Sequence, residues 1–333
     1  MRLGLIGLGR IGSFHAGTLT DLPAVDSLVV TDLVPAKTKQ VAERFGAEPV
    51  DSLDALLAAG VDGVVIAAST DAHPQLVLGA VDAGLPVFCE KPVARSGAEG
   101  AALLRQLHGR DVPVQIGFQR RFDAGIAAAH AAVRSGELGW LHTVRSTTLD
   151  PAPPPRAYVA SSGGMFRDCG VHDFDVLRWV TGSEVVEVYA TGSNRGAEFF
   201  AEVGDVDTSA AILTFDDGTL GVVSNTRYNA RGYDVRLEVH GSKDSVAAGL
   251  EDKLPLRSVE PGITFPAGEP HQFFMDRFLA AYRAELDAFT EVVDGIRPSP
   301  CTVADALEAD WIAEACARSQ REHRPVRIAE VRG

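Results

Sequence analysis

Between a predicted strand and a predicted helix, the chain reads Gly7-Leu8-Gly9-Arg10-Ile11-Gly12. The preceding run, Leu3 to Gly7, is apolar without polar alternation, which is typical of a strand buried on both faces of a parallel sheet. A G-x-G-x-x-G sequence often occurs by chance, but its position between a strand and a helix favours a dinucleotide-binding turn. We therefore expect the three glycines, with Arg10 and Ile11, to hold a pyrophosphate at the N-terminus of the helix.

The second predicted strand, Ser27 to Thr31, ends in Asp32, twenty residues after Gly12. An acid at about this spacing accepts hydrogen bonds from both adenosine ribose hydroxyls and repels a 2′-phosphate. Leu33 and Val34 follow without a basic residue, although Lys37 and Lys39 are near. The pattern predicts NAD as cofactor rather than NADP, with a plain turn former or helix cap as the alternative reading of Asp32.

Strands and helices continue to alternate up to residue 118, which predicts a Rossmann-type, doubly wound parallel sheet with ligands outside the carboxyl ends of its strands. Predicted helices span 36–45, 52–59, 73–83 and 96–107, and predicted strands span 62–68, 86–89 and 113–117. Two strand ends carry polar residues that we expect beside the cofactor, namely Ser69, Thr70 and His73 at one end and Glu90 and Lys91 at the other. His73 is equally consistent with an ordinary residue of a first helical turn.

Lys91 stands between a buried predicted strand and Pro92, which prevents a helix from starting there. This places the lysine at the edge of the sheet, where the reactive ring of the cofactor is expected. A lysine there can bind a substrate hydroxyl and stabilise the developing alkoxide, so no metal is needed for that purpose. The alternative is a solvated surface lysine.

Asp168 and His172 are four residues apart in a run with helical spacing of Val171, Phe174, Leu177 and Val180 and a stop at Gly182. On a helix the two side chains share one face, so the carboxylate can hold the imidazole in one tautomer and stabilise its protonated form. This is the composition of a general base that works near neutral pH. A surface or core Asp/His pair without catalytic duty is the alternative.

The region 119–333 is predicted to be an α+β domain for substrate binding and oligomerisation, built on a mixed, largely antiparallel sheet. After a helix at 123–135, predicted strands follow at 141–149, 185–193, 208–215, 219–228 and 235–240, with a hairpin at Asp216-Asp217-Gly218. Helices are predicted at 273–293 and 303–319, and a last strand at 325–328. The proline-rich segment 150–164 is predicted to be a loop, either a lid over the pocket or a plain connection.

Composition restricts the partners. With 31 Lys and Arg against 45 Asp and Glu the formal net charge is −14, which disfavours nucleic acid and anionic membranes. Cys89, Cys169, Cys301 and Cys316 form no C-x-x-C pair, which suits a reducing compartment and signals no metal site. The sequence shows no leader pattern and no apolar run long enough for a membrane span, so we expect a cytoplasmic protein.

Three features together carry a family resemblance: the glycine-rich start, Cys89-Glu90-Lys91-Pro92 and the Asp168-x-x-x-His172 pair. The chain resembles the Gfo/Idh/MocA family of nucleotide-dependent sugar oxidoreductases, and within it the inositol 2-dehydrogenases most. The resemblance runs through nearly the whole chain and includes 117–123, 150–155, 172–175, 204–208, 232–234, 240–243 and 281–286. It implies that Lys91, Asp168 and His172 are the catalytic set, and that the protein is a homo-oligomer, commonly a tetramer.

The implied reaction is NAD-dependent oxidation of a secondary hydroxyl of a cyclic polyol, most simply myo-inositol to 2-keto-myo-inositol. Beside the catalytic set, the candidate substrate contacts are Arg120, Asp150, Arg156, Tyr158 and Tyr233. Some inositol dehydrogenases carry His and Asn where Thr148 and Asp150 stand here, which leaves the identity of the polyol open. The alternatives are a dehydrogenase of scyllo-inositol or an aldose, and a non-catalytic regulator that senses dinucleotide and sugar.

Overall fold

Residues 1–332 are described by a computed structural model of the protein. The chain forms two compact units. The first comprises Met1–Gln119 and Ala280–Leu307, and the second comprises Arg120–Leu279 and the residues from Glu308 onward. The domain division that the sequence predicts after residue 118 does not anticipate the return of 280–307 to the first unit, and it stays a prediction.

The first unit is built on a six-stranded, all-parallel sheet in the order β3-β2-β1-β4-β5-β6. Its strands are β1 Arg2–Ile6, β2 Ser27–Thr31, β3 Glu48–Pro49, β4 Gly63–Ile66, β5 Val87–Glu90 and β6 Val114–Gly117. Its helices are α1 Arg10–Thr20, α2 Pro35–Phe45, α3 Leu53–Leu57, α4 His73–Asp82 and α5 Gly97–Leu107. The strand order and parallel direction are those of dinucleotide-binding folds, so the predicted Rossmann sheet is confirmed.

Local sequence explains where these elements begin and end. Pro35 is the first residue of α2, and the hydroxyl oxygens of Ser52 and Ser96 accept hydrogen bonds from amides in the first turns of α3 and α5. The strands of this sheet are apolar without alternation, as expected when both faces of the sheet are covered. Leu3, Val30 and Phe88, which come from three different strands, belong to one hydrophobic core. The two-residue edge strand β3 has no sequence signal because both of its residues are exposed and it is too short to show a period.

The second unit has a seven-stranded sheet in the order β12-β11-β7-β10-β9-β8-β13, in which only β7 and β10 pair in parallel. Its strands are β7 Leu141–Leu149, β8 Val185–Ser193, β9 Thr208–Phe215, β10 Leu220–Thr226, β11 Asp234–Gly241, β12 Ser245–Ala248 and β13 Val326–Arg327. Its shorter helices are α6 Ala124–Ser135, α7 Arg156–Val159, α8 Val171–Thr181, α9 Phe199–Glu202 and α10 Phe274–Arg277. Of the two long helices that precede β13, α11 Leu279–Val293 belongs to the first unit from Ala280 onward, and α12 Val303–Glu322 enters the second unit at Glu308. The predicted mixed, largely antiparallel sheet is confirmed.

Strand residues in this sheet alternate between buried and exposed positions, as expected when only one face is covered. Helices α6 and α8 pack together, and α8 lies against β7 on the covered face. The opposite face carries Tyr189, Ile212 and Val222, which are between 37% and 51% exposed. This surface, defined by the outward residues of β8, β9 and β10, is called the open sheet face below.

Two helix predictions differ from the structure. The single helix predicted over 273–293 is wrong, because Phe278 leaves helical geometry between α10 and α11. Its ring is fully buried, in edge contact with Tyr233 and beside the guanidinium of Arg120. The segment carrying Asp168 is not part of a regular α-helix; it is a π-helical turn, Phe166–Gly170, that runs into α8.

Among the described residues, no helix has the length and apolar character needed to cross a bilayer.

Candidate active site

The glycine-rich turn of the first unit needs its glycines for different reasons. Gly7 has a φ of +87°, and a Cβ there would lie 2.5 Å from the Cα of Ala68. A Cβ on Gly12 would collide with the carbonyl oxygen of Gly7. A Cβ on Gly9 would meet no described protein atom within 4 Å, so protein packing does not explain the glycine there.

Helix α1 begins immediately after Gly9 without a side-chain cap among the described residues. The first amides of a helix need acceptors, and a phosphate group is a suitable one. Gly9 is the position at which a dinucleotide pyrophosphate approaches the backbone most closely. The open space at Gly9 and the uncapped helix start therefore both fit a bound pyrophosphate.

Asp32 follows β2 and is fixed by backbone amides. The Leu8 amide donates to its Oδ2 at 2.7 Å, and the Val34 amide donates to its Oδ1 at 2.8 Å. A carboxylate oxygen has two lone pairs, so each retains capacity to accept a hydroxyl. The arrangement fits a ribose diol. It also shows that Asp32 shapes the turn beside the glycines.

The ends of β4 and β5 carry the other predicted cofactor neighbours. Ser69 is exposed, and Thr70 begins a short 3₁₀ turn before α4. His73 is 1% exposed, with Nδ1 2.8 Å from the carbonyl oxygen of Pro92 and Nε2 3.1 Å from that of Ala68. The imidazole thus links the segment that follows β4, through Ala68, to the segment that follows β5, through Pro92.

Glu90 is the last residue of β5, and half-buried Lys91 follows it. A residue that the sequence analysis missed contacts Glu90: His15 of α1 is fully buried, and its Nε2 lies 2.7 Å from Glu90 Oε1. Rings of Phe88 and Tyr282 lie edge-on to that imidazole. His15 occupies an apolar face of a predicted helix, and a lone histidine there gives no signal of its partner.

In the second unit, both oxygens of Asp168 are engaged. The Tyr158 hydroxyl donates to Oδ1 at 2.8 Å, and Nη2 of Arg227 donates to Oδ2 at 2.6 Å. His172 is half-buried in the first turn of α8, four residues after Asp168. Single π-helical turns such as the one carrying Asp168 occur frequently at functional sites. The structure therefore places a tightly held carboxylate one turn before the candidate base.

Arg227 is the second residue that the sequence analysis missed. It is 5% exposed, and its Nη1 donates to Asp150 Oδ2 at 2.6 Å, so one guanidinium joins Asp150 to Asp168. Burial raises the pKa of Asp150, although the charge and hydrogen bond of Arg227 act in the opposite direction. The guanidinium brings three predicted residues, Tyr158, Asp150 and Asp168, into one connected cluster.

The remaining predicted substrate contacts have different surroundings. Arg120 is 1% exposed, and its Nη1 donates to Asp173 of α8 at 2.9 Å. Asp173 also accepts from Ser146, Thr148 and Asn225, so this buried carboxylate fixes α8 to the sheet. Arg156 is exposed and pairs with Glu202 at 2.8 Å, outside the cluster around Arg227.

Tyr233 is 6% exposed, and burial raises the pKa of its hydroxyl, so the group is a neutral phenol at physiological pH. The charges of Arg120 and Asp150 act on it, which places it near that part of the site. Cys169 is buried beside the same charges, and its thiol pKa is raised by burial. In residues 1–332 no group of three His, Cys, Asp or Glu side chains is arranged to hold a metal ion.

Two family profiles match the chain. The profile described as an oxidoreductase family with an NAD-binding Rossmann fold (GFO/IDH/MocA) matches residues 1–118. The profile of the GFO/IDH/MocA C-terminal domain matches residues 126–247. Together they cover all of the candidate residues except Arg120.

Named relatives match over the full length. The myo-inositol 2-dehydrogenase of Thermotoga maritima is 36% identical over 337 residues that cover 100% of both chains. The inositol 2-dehydrogenase of Rhizobium meliloti is 36% identical over 332 residues that cover 99% of each chain. A structure of scyllo-inositol dehydrogenase from Lactobacillus casei with bound NAD(H) and scyllo-inositol has a TM-score of 0.87 at 29% identity, covering 99% of each chain.

Proposed function

The chain belongs to the Gfo/Idh/MocA family of NAD-binding oxidoreductases, and from this we propose that it oxidises a secondary hydroxyl of a cyclic polyol, namely myo-inositol to 2-keto-myo-inositol. The observation that supports this most is the arrangement around Asp168, which is held by Tyr158 and Arg227 one turn before His172. The myo-inositol 2-dehydrogenase of Thermotoga maritima, at 36% identity, favours myo-inositol. The scyllo-inositol dehydrogenase at 29% identity supports scyllo-inositol as the second candidate substrate.

Bound NAD supplies the hydride acceptor, and the residues proposed to hold it are Gly7, Gly9, Arg10, Ile11, Gly12, Asp32, Ser69, Thr70, His73, Glu90 and Lys91. In the proposed reaction, His172 accepts the proton of the hydroxyl. Asp168 stabilises the resulting imidazolium and fixes the ring tautomer. Lys91 donates to the hydroxyl oxygen and stabilises its developing negative charge. Arg120, Asp150, Arg156, Tyr158 and Tyr233 remain the proposed substrate contacts.

A substrate panel tests the proposal directly. Purified protein is incubated with myo-inositol, scyllo-inositol, other inositols and aldoses, each with NAD and with NADP, and reduced nicotinamide is followed by absorbance. We expect the highest kcat/KM with myo-inositol and NAD. Absence of turnover with every polyol and sugar would exclude the enzymatic function and favour a sensing role. Turnover confined to NADP would contradict the assignment of Asp32.

Replacing Gly9 with valine is expected to weaken NAD binding at least about tenfold, a loss of roughly 1.4 kcal/mol, while leaving folding intact. The added side chain would point into space that no described protein atom occupies, where the pyrophosphate is proposed to lie. Isothermal titration with NAD and thermal unfolding of the apoprotein measure the two effects. The matched variant is Gly12→Val, which should lower the melting temperature because its side chain meets the Gly7 carbonyl. Wild-type NAD affinity in Gly9→Val would contradict the proposed cofactor position.

We also propose that the open sheet face mediates assembly into a homotetramer. Tyr189, Ile212 and Val222 lie side by side on paired strands, and the next strand continues the row with Arg145, which pairs with Glu238 at 3.1 Å. A contiguous apolar surface with a polar margin is typical of a protein interface. Four buried cysteine thiols suit the reducing cytoplasm that we propose as the location.

The variant Ile212→Glu is expected to shift the protein from the tetramer to a smaller species, because burying an unpaired charge in an interface is unfavourable. Size-exclusion chromatography with light scattering measures the mass. The control is Ile296→Glu, at a position in the first unit that is 72% exposed and is not one of the residues that define the open sheet face. An unchanged mass for Ile212→Glu would show that this face is not the interface.

A further inference from the structure

Arg227 makes the same contact with two carboxylates that have different proposed roles. Its Nη1 and Nη2 donate at 2.6 Å to Asp150, a proposed substrate contact, and to Asp168, the proposed partner of the base. The side chains of Arg227, Asp150 and Asp168 are 6%, 20% and 10% exposed. Charge-assisted contacts of this length with little solvent are strong and directional.

The position of Arg227 follows from the pairing of two strands. Strand β10 runs parallel to β7 with Thr226 opposite Leu149, so the next residues, Arg227 and Asp150, leave the sheet side by side. The Arg227 amide also donates to the carbonyl oxygen of Asp207 at 2.8 Å, which fixes the backbone there. The guanidinium is therefore placed at the end of two paired strands, where the Arg227 backbone is itself hydrogen-bonded.

The charges of the cluster determine what Arg227 does. Asp150 and Asp168 repel each other, and one guanidinium compensates for both. Other titratable groups around them are Tyr158, which donates to Asp168, and Arg120, Asp173, Tyr233 and Cys169, which interact electrostatically with this site. Asp168 thus presents a partly neutralised carboxylate to its surroundings, and less of its charge remains to stabilise an imidazolium.

We propose that Arg227 is a positioning residue that keeps His172 in its neutral, proton-accepting form by compensating part of the charge of Asp168, to an extent that Asp150 limits because it binds the same guanidinium. The inference rests on the proposed function, in which His172 is the general base. A fully available Asp168 would bind the imidazolium too well and raise the pKa of the base above the working range. Asp150 takes part of the guanidinium's charge, so a change at the substrate contact alters the basicity of His172.

The test compares the pH dependence of kcat/KM in wild-type protein and three variants. Arg227→Gln removes the shared positive charge and should move the acidic limb to higher pH by about one unit. Asp150→Asn removes the competing carboxylate, so Arg227 compensates the charge of Asp168 alone. This should move the acidic limb of the kcat/KM profile to lower pH. Arg227→Lys retains the charge and should place the limb near its wild-type position, with lower turnover because one ammonium cannot form the same forked contact.

Opposite shifts in Arg227→Gln and Asp150→Asn distinguish this role from a structural one, since disruption of the fold would lower activity in both without moving the limb. NAD affinity and melting temperature are measured on all variants. If Arg227→Gln fails to fold, Asp150→Asn decides the matter, because a limb at its wild-type position or higher overturns the proposal. Equal limbs in wild-type protein and Arg227→Gln also overturn it.

A readout without turnover separates this proposal from the proposed function. The ¹H–¹³C signals of the His172 ring, assigned with His172→Gln, are titrated by NMR in the apoprotein. The His172 pKa should rise in Arg227→Gln and fall in Asp150→Asn. If wild-type protein turned over no polyol but these shifts occurred, only the proposed function would fail. If polyol turnover occurred and the His172 pKa were unchanged in both variants, only the role of Arg227 would fail.

Discussion

Replacing His172 with glutamine should lower kcat by about two orders of magnitude or more, the usual contribution of a positioned acid or base. Glutamine fills similar space and keeps a hydrogen-bonding group but cannot accept the hydroxyl proton. Because Asp168 is already held by Tyr158 and Arg227, the carboxylate should stay in place when the imidazole is absent. NAD affinity and the melting temperature should therefore change little. Stopped-flow and steady-state absorbance of reduced nicotinamide measure the loss.

The pH dependence of kcat/KM should also change in His172→Gln. A general base must be deprotonated, so the wild-type kcat/KM should rise with pH through the pKa of His172. In His172→Gln this limb should disappear, and residual activity should increase towards high pH as solvent hydroxide replaces the base. His142→Gln is the control, since His142 is an exposed residue of β7 in the same unit. A glutamine variant with near wild-type kcat would show that His172 is not the base.

The parts of the fold that the sequence predicts are those encoded by local pattern. Parallel strands appear as short apolar runs, and their carboxyl ends place Asp32, Ser69 and Lys91 at the same edge of the first sheet. The Asp216-Asp217-Gly218 turn predicts the antiparallel pairing of β9 and β10, which the register confirms. These inferences need only the period of the side chains and the chemistry of turns.

Features that depend on distant parts of the chain were not predictable in this way. Arg227 meets Asp150 because β10 pairs in parallel with β7, and no local pattern states which strand lies beside which. His15 meets Glu90 across 75 residues of sequence, again through sheet order. The break at Phe278 arises because a buried aromatic packs against Tyr233, which overrides the helical period of 273–293. In each case the structure depends on packing between residues that are distant in the sequence, which local propensity does not determine.

The largest departure from local expectation is the π-helical turn at Phe166–Gly170. It follows Gly163 and Gly164, which have φ values of +85° and +87°, and the Met165 amide that starts it donates to Asp205 at 2.9 Å. The Asp168-x-x-x-His172 spacing predicts one face of a regular helix, whereas the structure widens the turn that carries the acid. The site is thus arranged by a local irregularity that spacing alone does not reveal.

Replacing Lys91 with methionine should also lower kcat by about two orders of magnitude or more, through loss of the charge that stabilises the developing alkoxide. Methionine preserves much of the length and apolar character of the side chain. Glu90 should keep its contact with His15, so the end of β5 should remain folded. NAD affinity is measured separately, because Lys91 is also proposed to lie beside the cofactor. Lys243→Met, at an exposed position in the second unit, is the control.

The two catalytic variants should differ in a way that assigns their roles. Hydroxide can replace a missing base, but it cannot replace a missing cation, so high pH should not restore Lys91→Met as it restores His172→Gln. With myo-inositol deuterated at the oxidised carbon, the isotope effect on kcat should be at least as large in Lys91→Met as in wild-type protein, because the chemical step becomes slower. A wild-type kcat would identify Lys91 as an ordinary surface lysine. A low kcat with a diminished isotope effect would mean that Lys91 controls a binding or release step instead of stabilising the alkoxide.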